Sequence, residues 1–308
     1  MNSTVLAPFT ARDGENLALY EWPLDAWAEE MGQYAPPPRA VVVLVHGLGE
    51  HALRYDHLAR QLMEWGFAVR AYDQRGHGES GGARGVLPSD ATLLDDLAEV
   101  VDDTRLRCMR ILRESVSHHA SLESEQIPLV LLGHSLGGLV VSRFVSLGMR
   151  PVEGLVMSSP ALDAGLGPLQ KLLLAFMPRL APNLCVGNGL DPHYLSHDPE
   201  VVRKYMEDRQ VHNRISPRLG KFIATAGPAT IAAAAQWRTP TLLMYAGADR
   251  LVDPAGSRAF AENATNSRAV TPGTVTARCF EGLYHEIFNE TDSEPVFDTL
   301  KAWLDARF

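Results

Sequence analysis

Ser135 stands in "GHSLGG" (133–138), between a proline-led apolar run and a second apolar run with helical spacing. A serine with glycines two residues before and two after it fits a sharp strand-to-helix turn, the G-x-S-x-G nucleophile elbow. That turn closes only where Gly133 and Gly137 carry no side chain. A helix beginning directly behind the serine aims its free N–H groups and positive dipole end at developing negative charge. The chemistry this suits is attack of the hydroxyl on an acyl carbonyl. For that attack the hydroxyl needs a base to take its proton, and the base needs a carboxylate to set its tautomer.

On a frame of alternating strands and helices these partners follow in the order serine, acid, histidine, each on a loop past a strand's C-terminal end. Of eleven histidines, only His285, in "EGLYHEIFNE", comes after both Ser135 and the next acidic loop. That loop, "YAGADRLVDP", offers Asp249 and Asp253. Asp249 falls just past a strand end, within reach of a loop histidine. Asp253 precedes Pro254 and a helical pattern, which suits an N-cap with proline at N1. Asp249 is therefore the expected acid. A tetrahedral intermediate also needs two donors for its oxyanion. The N–H of Leu136, next after the serine, supplies one. The glycine-rich "HGLGEH" supplies the other through Leu48, with His46 and Gly47 shaping the loop.

The elements that must position these groups read as follows. "FTARDGENLALYEW" predicts a hairpin around Asp13-Gly14, and "MGQYAPPPRA" a proline-rich connector. Apolar runs at 40–47, 67–73, 128–134, 154–162, 239–247 and 275–282 predict strands, the first of them buried on both faces. Helices are expected near 54–66, 89–118, 136–148, 254–264 and 294–306. Such alternation implies βαβ crossovers and a mostly parallel sheet, an α/β fold. Residues 163–237 break the rhythm, with several prolines and no clear strand. They read as a cap insertion sitting on a core made of 1–162 and 238–308. Within the insertion Leu169, Leu172, Leu173, Phe176, Met177 and Leu180 fall on one helical face. Two readings stay open for that stripe: packing on the body, or an acyl-chain lining with transient contact to a lipid surface.

Composition narrows the function classes. A formal net charge of −9 argues against a nucleic-acid partner. Three widely spaced cysteines fit neither a disulfide framework nor a zinc site and suit a reducing compartment. No secretory signal or membrane-length apolar run is evident, so a soluble, cytoplasmic protein is expected. "QRGHGES" lacks the spacing and ending of a phosphate loop and reads as a structural turn. His118-His119 has no further ligands at metal spacing and reads as a solvated helix end.

Taken together, "HGLGEHALRY" (46–55), "YDQRGHGESGG" (72–82), "GHSLGG" (133–138), "AGADRLVD" (246–253) and "GLYHEIFNE" (282–290) resemble the monoacylglycerol lipase and lysophospholipase-like branch of the α/β-hydrolase superfamily. The cap segment "GLDPHYLSHDPEVVRKYMEDRQVHNRIS" resembles its bacterial members. The resemblance implies an α/β-hydrolase fold with an inserted helical cap, and Ser135, Asp249 and His285 as a catalytic triad. It also implies backbone amides of Leu48 and Leu136 as the oxyanion hole, and hydrolysis of carboxylic esters, typically monoacylglycerols. No metal or organic cofactor is implied. The competing classes are an amidase or aminopeptidase on the same triad, and a non-enzymatic small-molecule receptor that keeps the fold. A haloalkane dehalogenase is disfavoured because a serine, not an aspartate, occupies the elbow.

Overall fold

The computed structural model describes residues 4–5, 9–22, 38–116, 126–165, 167, 174 and 176–308. Most of the proline-rich connector, His118-His119, and Leu169, Leu172 and Leu173 of the apolar stripe lie outside them.

Among the described residues an eight-stranded sheet runs in the order β1-β4-β6-β5-β7-β8-β11-β12. Its strands are β1 (Thr4–Val5), β4 (Leu19–Trp22), β5 (Val41–Val45), β6 (Ala68–Tyr72), β7 (Leu129–His134), β8 (Gly154–Ser158), β11 (Thr241–Ala246) and β12 (Val275–Phe280). The six strands from β6 to β12 are mutually parallel. β4 and β1 close the other end antiparallel. The expected hairpin is present as β2 (Phe9–Thr10) against β3 (Asn16–Leu17), turning at Gly14 with φ 89°.

Strands β5, β7 and β11 are buried along their whole length because both faces of the sheet are covered. Alternation sends Val41, Val43, Leu129, Leu131 and Leu243 to one apolar layer, and Val42, Leu44, Val130, Leu132 and Leu242 to the other. The first layer is completed by helices α2 (Thr92–Val116), α3 (Leu136–Ser146), α5 (Pro217–Ala233) and α6 (Pro254–Asn266) through Leu97, Val140, Phe222 and Phe260. The second is completed by α1 (Asp56–Glu64) and α7 (Glu294–Asp305) through Leu58, Leu62, Leu300 and Trp303. Burying each such side chain stabilises the fold by about 1.5–3 kcal/mol before the entropy of ordering it is subtracted. Among the described residues no helix is long and apolar enough to cross a membrane.

The stretch 163–237 is not uniform. Its last helix, α5, packs against α3 and α6 and shares the core of the body. Its middle part holds α4 (Pro199–Glu207) and two strands not expected from the sequence, β9 (Val186–Gly187) and β10 (Arg214–Ile215), which pair antiparallel. At two residues each they are too short to show alternation, and that is why the sequence pattern missed them.

Candidate active site

Strand β7 delivers Ser135 to its C-terminal edge, and α3 starts at the next residue. Ser135 has φ 54° and ψ −118°, a backbone region that costs a non-glycine residue about 1–3 kcal/mol. Neighbouring backbone holds the strain in place. The Ser135 N–H donates to Ser158 O at 2.9 Å, and its carbonyl accepts from Leu139 N and Ala161 N at 3.0 and 2.9 Å. The flanking glycines have no room for a side chain. A Cβ at Gly133 would lie 2.4 Å from Gly137 O, and one at Gly137 would lie 2.0 Å from Val45 O. Although Ser135 occupies the N-cap position, its side chain makes no capping hydrogen bond.

The loop after β11 carries Asp249, and the loop after β12 carries His285. Parallel pairing of the two strands brings the loops side by side. Asp249 Oδ2 lies 2.6 Å from His285 Nδ1, with both side chains buried. The other oxygen accepts N–H bonds from Leu251 at 2.8 Å and Val252 at 3.0 Å. With Nδ1–H donating to the carboxylate, the lone pair of Nε2 is free to take a proton. Burial opposes charge on the ring, but the Asp249 carboxylate outweighs it, with Glu286 and Glu50 adding to the effect, and raises the His285 pKa. Burial would raise Asp249, but the imidazole beside it and the two amides hold it below its ordinary value. Asp253 instead caps α6, accepting from Ala255 N at 2.8 Å with Pro254 behind it.

Ser135 and His285 line the same small cavity together with Gly47, Leu48, Glu50, His134, Tyr205 and Glu286. Ser135, Leu48 and Leu136 also line a second cavity of ≈ 440 Å³, whose walls are largely apolar and include Met177, Leu184, Val186, Leu190, Ile215 and Ile223. Ser135 thus borders both cavities, and the small one adds Leu190, Pro192, Leu195 and Leu251 to its charged and ring-bearing wall. Loop 46–51 approaches it closely enough that a Cβ on Gly47 would lie 3.2 Å from Ser135 Cβ.

Of the apolar stripe, Met177 reaches the large cavity, as does Leu174. Phe176 and Leu180, expected beside Met177, are 56% and 79% exposed. Their i, i+4 spacing puts them on one side of the turn, whereas Leu174 and Met177, at i, i+3, share another.

A buried ionic cluster under the small cavity was not anticipated. Glu50 Oε1 accepts from Gly47 N at 2.5 Å and from the Tyr55 hydroxyl at 2.6 Å, while Oε2 pairs with Arg54. Arg54 also binds Glu286 through both terminal nitrogens, at 2.6 and 2.8 Å, and stacks over the Tyr205 ring at 4.8 Å. Burial would raise the Glu50 carboxyl, but Arg54, helped by His134 and His46, holds it at about 2. His134, 4.7 Å from His285 between ring centres, is kept neutral by burial and by that neighbouring ring, with a pKa near 4. His46 shapes its loop: its Nδ1 donates to Gly47 O at 2.7 Å, and its Nε2 accepts from Gln74 N at 2.8 Å. Arg75 is tied to Asp96 and Asp13, and His77 is buried, both within a structural turn. The 163–237 stretch reaches the same loop, for His212 N donates to Gly49 O at 2.8 Å and His51 pairs with Asp208 at 2.8 Å.

A family model described as serine aminopeptidase, S33, matches residues 36–292. The chain is 34% identical over 270 residues to a monoacylglycerol lipase of Mycolicibacterium smegmatis, covering 87% of this chain and 88% of that one. It is 30% identical to phospholipase YtpA of Bacillus subtilis, covering 88% and 97%. Among solved structures, the Paleococcus ferrophilus monoacylglycerol lipase is 33% identical with a TM-score of 0.73, covering 88% and 96%.

Proposed function

The chain belongs to the serine aminopeptidase, S33, family, and from its likeness to monoacylglycerol lipases we propose that it hydrolyses monoacylglycerols through an acyl-enzyme on Ser135. The observation that carries this reading is the meeting of Ser135, the Asp249–His285 pair and an apolar cavity at one strand edge. Ser135 Oγ attacks the ester carbonyl while His285 Nε2 takes its proton. The oxyanion is held by the amides of Leu48 and Leu136, each donor worth about 3 kcal/mol in a dry site. His285 returns the proton to the departing glycerol. A water deprotonated by the same ring then attacks the acyl-enzyme, releasing the fatty acid and restoring the hydroxyl. Asp249 keeps the ring in the productive tautomer throughout.

The larger cavity suits the apolar half of such a substrate. The ≈ 440 Å³ apolar cavity takes the acyl chain, and the alcohol leaves on the His285 side of Ser135. Residues 163–237 act as the cap, α5 being the part that roots it in the body. Phe176 and Leu180, both exposed, give the cap an apolar exterior for transient contact with a lipid surface, whereas Leu184 and Val186 border the large cavity. Three free cysteines support a cytoplasmic location. The relatives named above are two lipases and a phospholipase, which disfavours the amide-cleaving and receptor readings.

The test is labelling with a fluorophosphonate, mapping the adduct by mass spectrometry, and then turnover of a monoacylglycerol chain-length series. The expected adduct is on Ser135, absent from Ser135→Ala. An adduct elsewhere, or labelling without monoacylglycerol turnover, overturns the reading.

A further inference from the structure

The loop that carries His285 has no strand of its own to hold it, yet it is anchored on both sides of the histidine. Glu290, five residues on, turns a wholly buried side chain back into the loop. Its Oε1 accepts from Tyr284 N at 2.5 Å and faces His197 Nδ1 at 2.9 Å. Its Oε2 accepts from His197 N at 2.9 Å, with the Ser196 hydroxyl at 3.3 Å. The same Ser196 hydroxyl donates to Asn289 O at 2.8 Å. Backbone bonds extend the attachment, from Glu286 N to Leu195 O at 2.8 Å and from His285 N to Tyr194 O at 3.4 Å. The His197 ring stacks on Tyr284 with centroids 3.7 Å apart.

We propose that Glu290 is a positioning residue for the reaction: it fixes the His285 loop against the 194–197 segment so that the imidazole stays aimed at Ser135. The inference rests on the reading of His285 as the base. One carboxylate gathers the residue before the histidine and two residues of a segment about ninety positions away. Glu290→Gln keeps one acceptor oxygen, so one of the two part-buried donors, Tyr284 N or His197 N, loses its partner and the loop must shift to satisfy it. Misplacing a catalytic group by about 1 Å costs up to roughly a hundredfold in rate.

The experiment compares Glu290→Gln, His197→Ala and their combination in the full chain, all at a temperature where each is folded by circular dichroism. The readouts are kcat and KM on p-nitrophenyl butyrate, the second-order rate of fluorophosphonate labelling, and the acid limb of the pH profile. Glu290→Gln is expected to lower kcat and the labelling rate roughly ten- to hundredfold, with KM within about twofold. His197→Ala should lower them less, and the double variant should fall short of the product of the two losses. A folded Glu290→Gln protein that labels and turns over like the wild type overturns the inference. If Glu290→Gln does not fold, wild-type kcat in His197→Ala overturns it instead. A wild type that fails to label at Ser135 sinks the underlying functional reading, which is a distinct result.

Discussion

Asp249 is held by three partners at once, with one oxygen 2.6 Å from His285 Nδ1 and the other on the amides of Leu251 and Val252. A carboxylate so fixed cannot turn away from the ring. Asn at this position keeps the size but presents an amide to Nδ1 and favours the wrong tautomer. Asp249→Asn should therefore lower kcat about 10³–10⁴-fold with little loss of stability. Asp253→Ala should do the opposite, costing about 1 kcal/mol of stability as a lost cap and leaving kcat near wild type. Steady-state kinetics and urea unfolding on the two variants separate them.

The pH dependence has a definite sign. Burial works against a charged His285, but Asp249, then Glu286 and Glu50, overcome it and move the pKa above the ordinary 6.5. The ring acts as a base only when neutral, so kcat/KM should rise with pH through a midpoint above 6.5 and fall away below it. Glu50, at about 2, stays ionised across that range and contributes a constant field. Glu286→Gln removes one of the charges that raise the midpoint and should move it to lower pH. A midpoint that moves up instead would contradict this electrostatic account.

Arg54 stands between Glu50 and Glu286 in a buried setting. Arg54→Met fills much of the volume but leaves two carboxylates facing each other with no cation between them. Removing one partner of a buried ion cluster typically costs about 3–5 kcal/mol. The urea midpoint should fall accordingly, and recover in part when Glu286→Gln is added, because the repulsion is then removed.

Met177 lines the large apolar cavity. Met177→Trp should fill part of that ≈ 440 Å³ and shift the preferred acyl chain toward shorter lengths, with turnover of short esters retained. An unchanged chain-length profile would place the acyl chain elsewhere.

Much of this site is legible in the sequence. The strands announce themselves as apolar runs because both faces of the sheet are covered, and the order of Ser135, Asp249 and His285 follows from where parallel strands end. The assignment of Asp253 as a cap was readable from Pro254 behind it. The ionic cluster was not. Glu50 and Arg54 show an i, i+4 spacing, but Glu286 meets Arg54 across 232 positions, and such a contact leaves no periodic trace. Glu290 was hidden for the same reason, its partners being 93 or more positions back apart from Tyr284. The apolar run ending at Leu180 reads in the sequence as one stripe. Its described residues divide between a cavity wall and the outer surface, and a helix apolar on two sides has no single face to find.

The hydrogen bond from His212 N to Gly49 O, with a gap so tight that a Cβ on Gly49 would sit 2.2 Å from His212 O, bears on how this enzyme can be re-engineered. Excising the 163–237 stretch to obtain a minimal, broad-entrance esterase would also take away the splint on which the turn bearing Leu48 is set. A trimmed protein of that kind would open the way to Ser135 and lose the shape of the turn proposed to hold the negative oxygen. Remodelling the entrance is better confined to positions that leave the 208–212 contacts with the 49–51 turn intact.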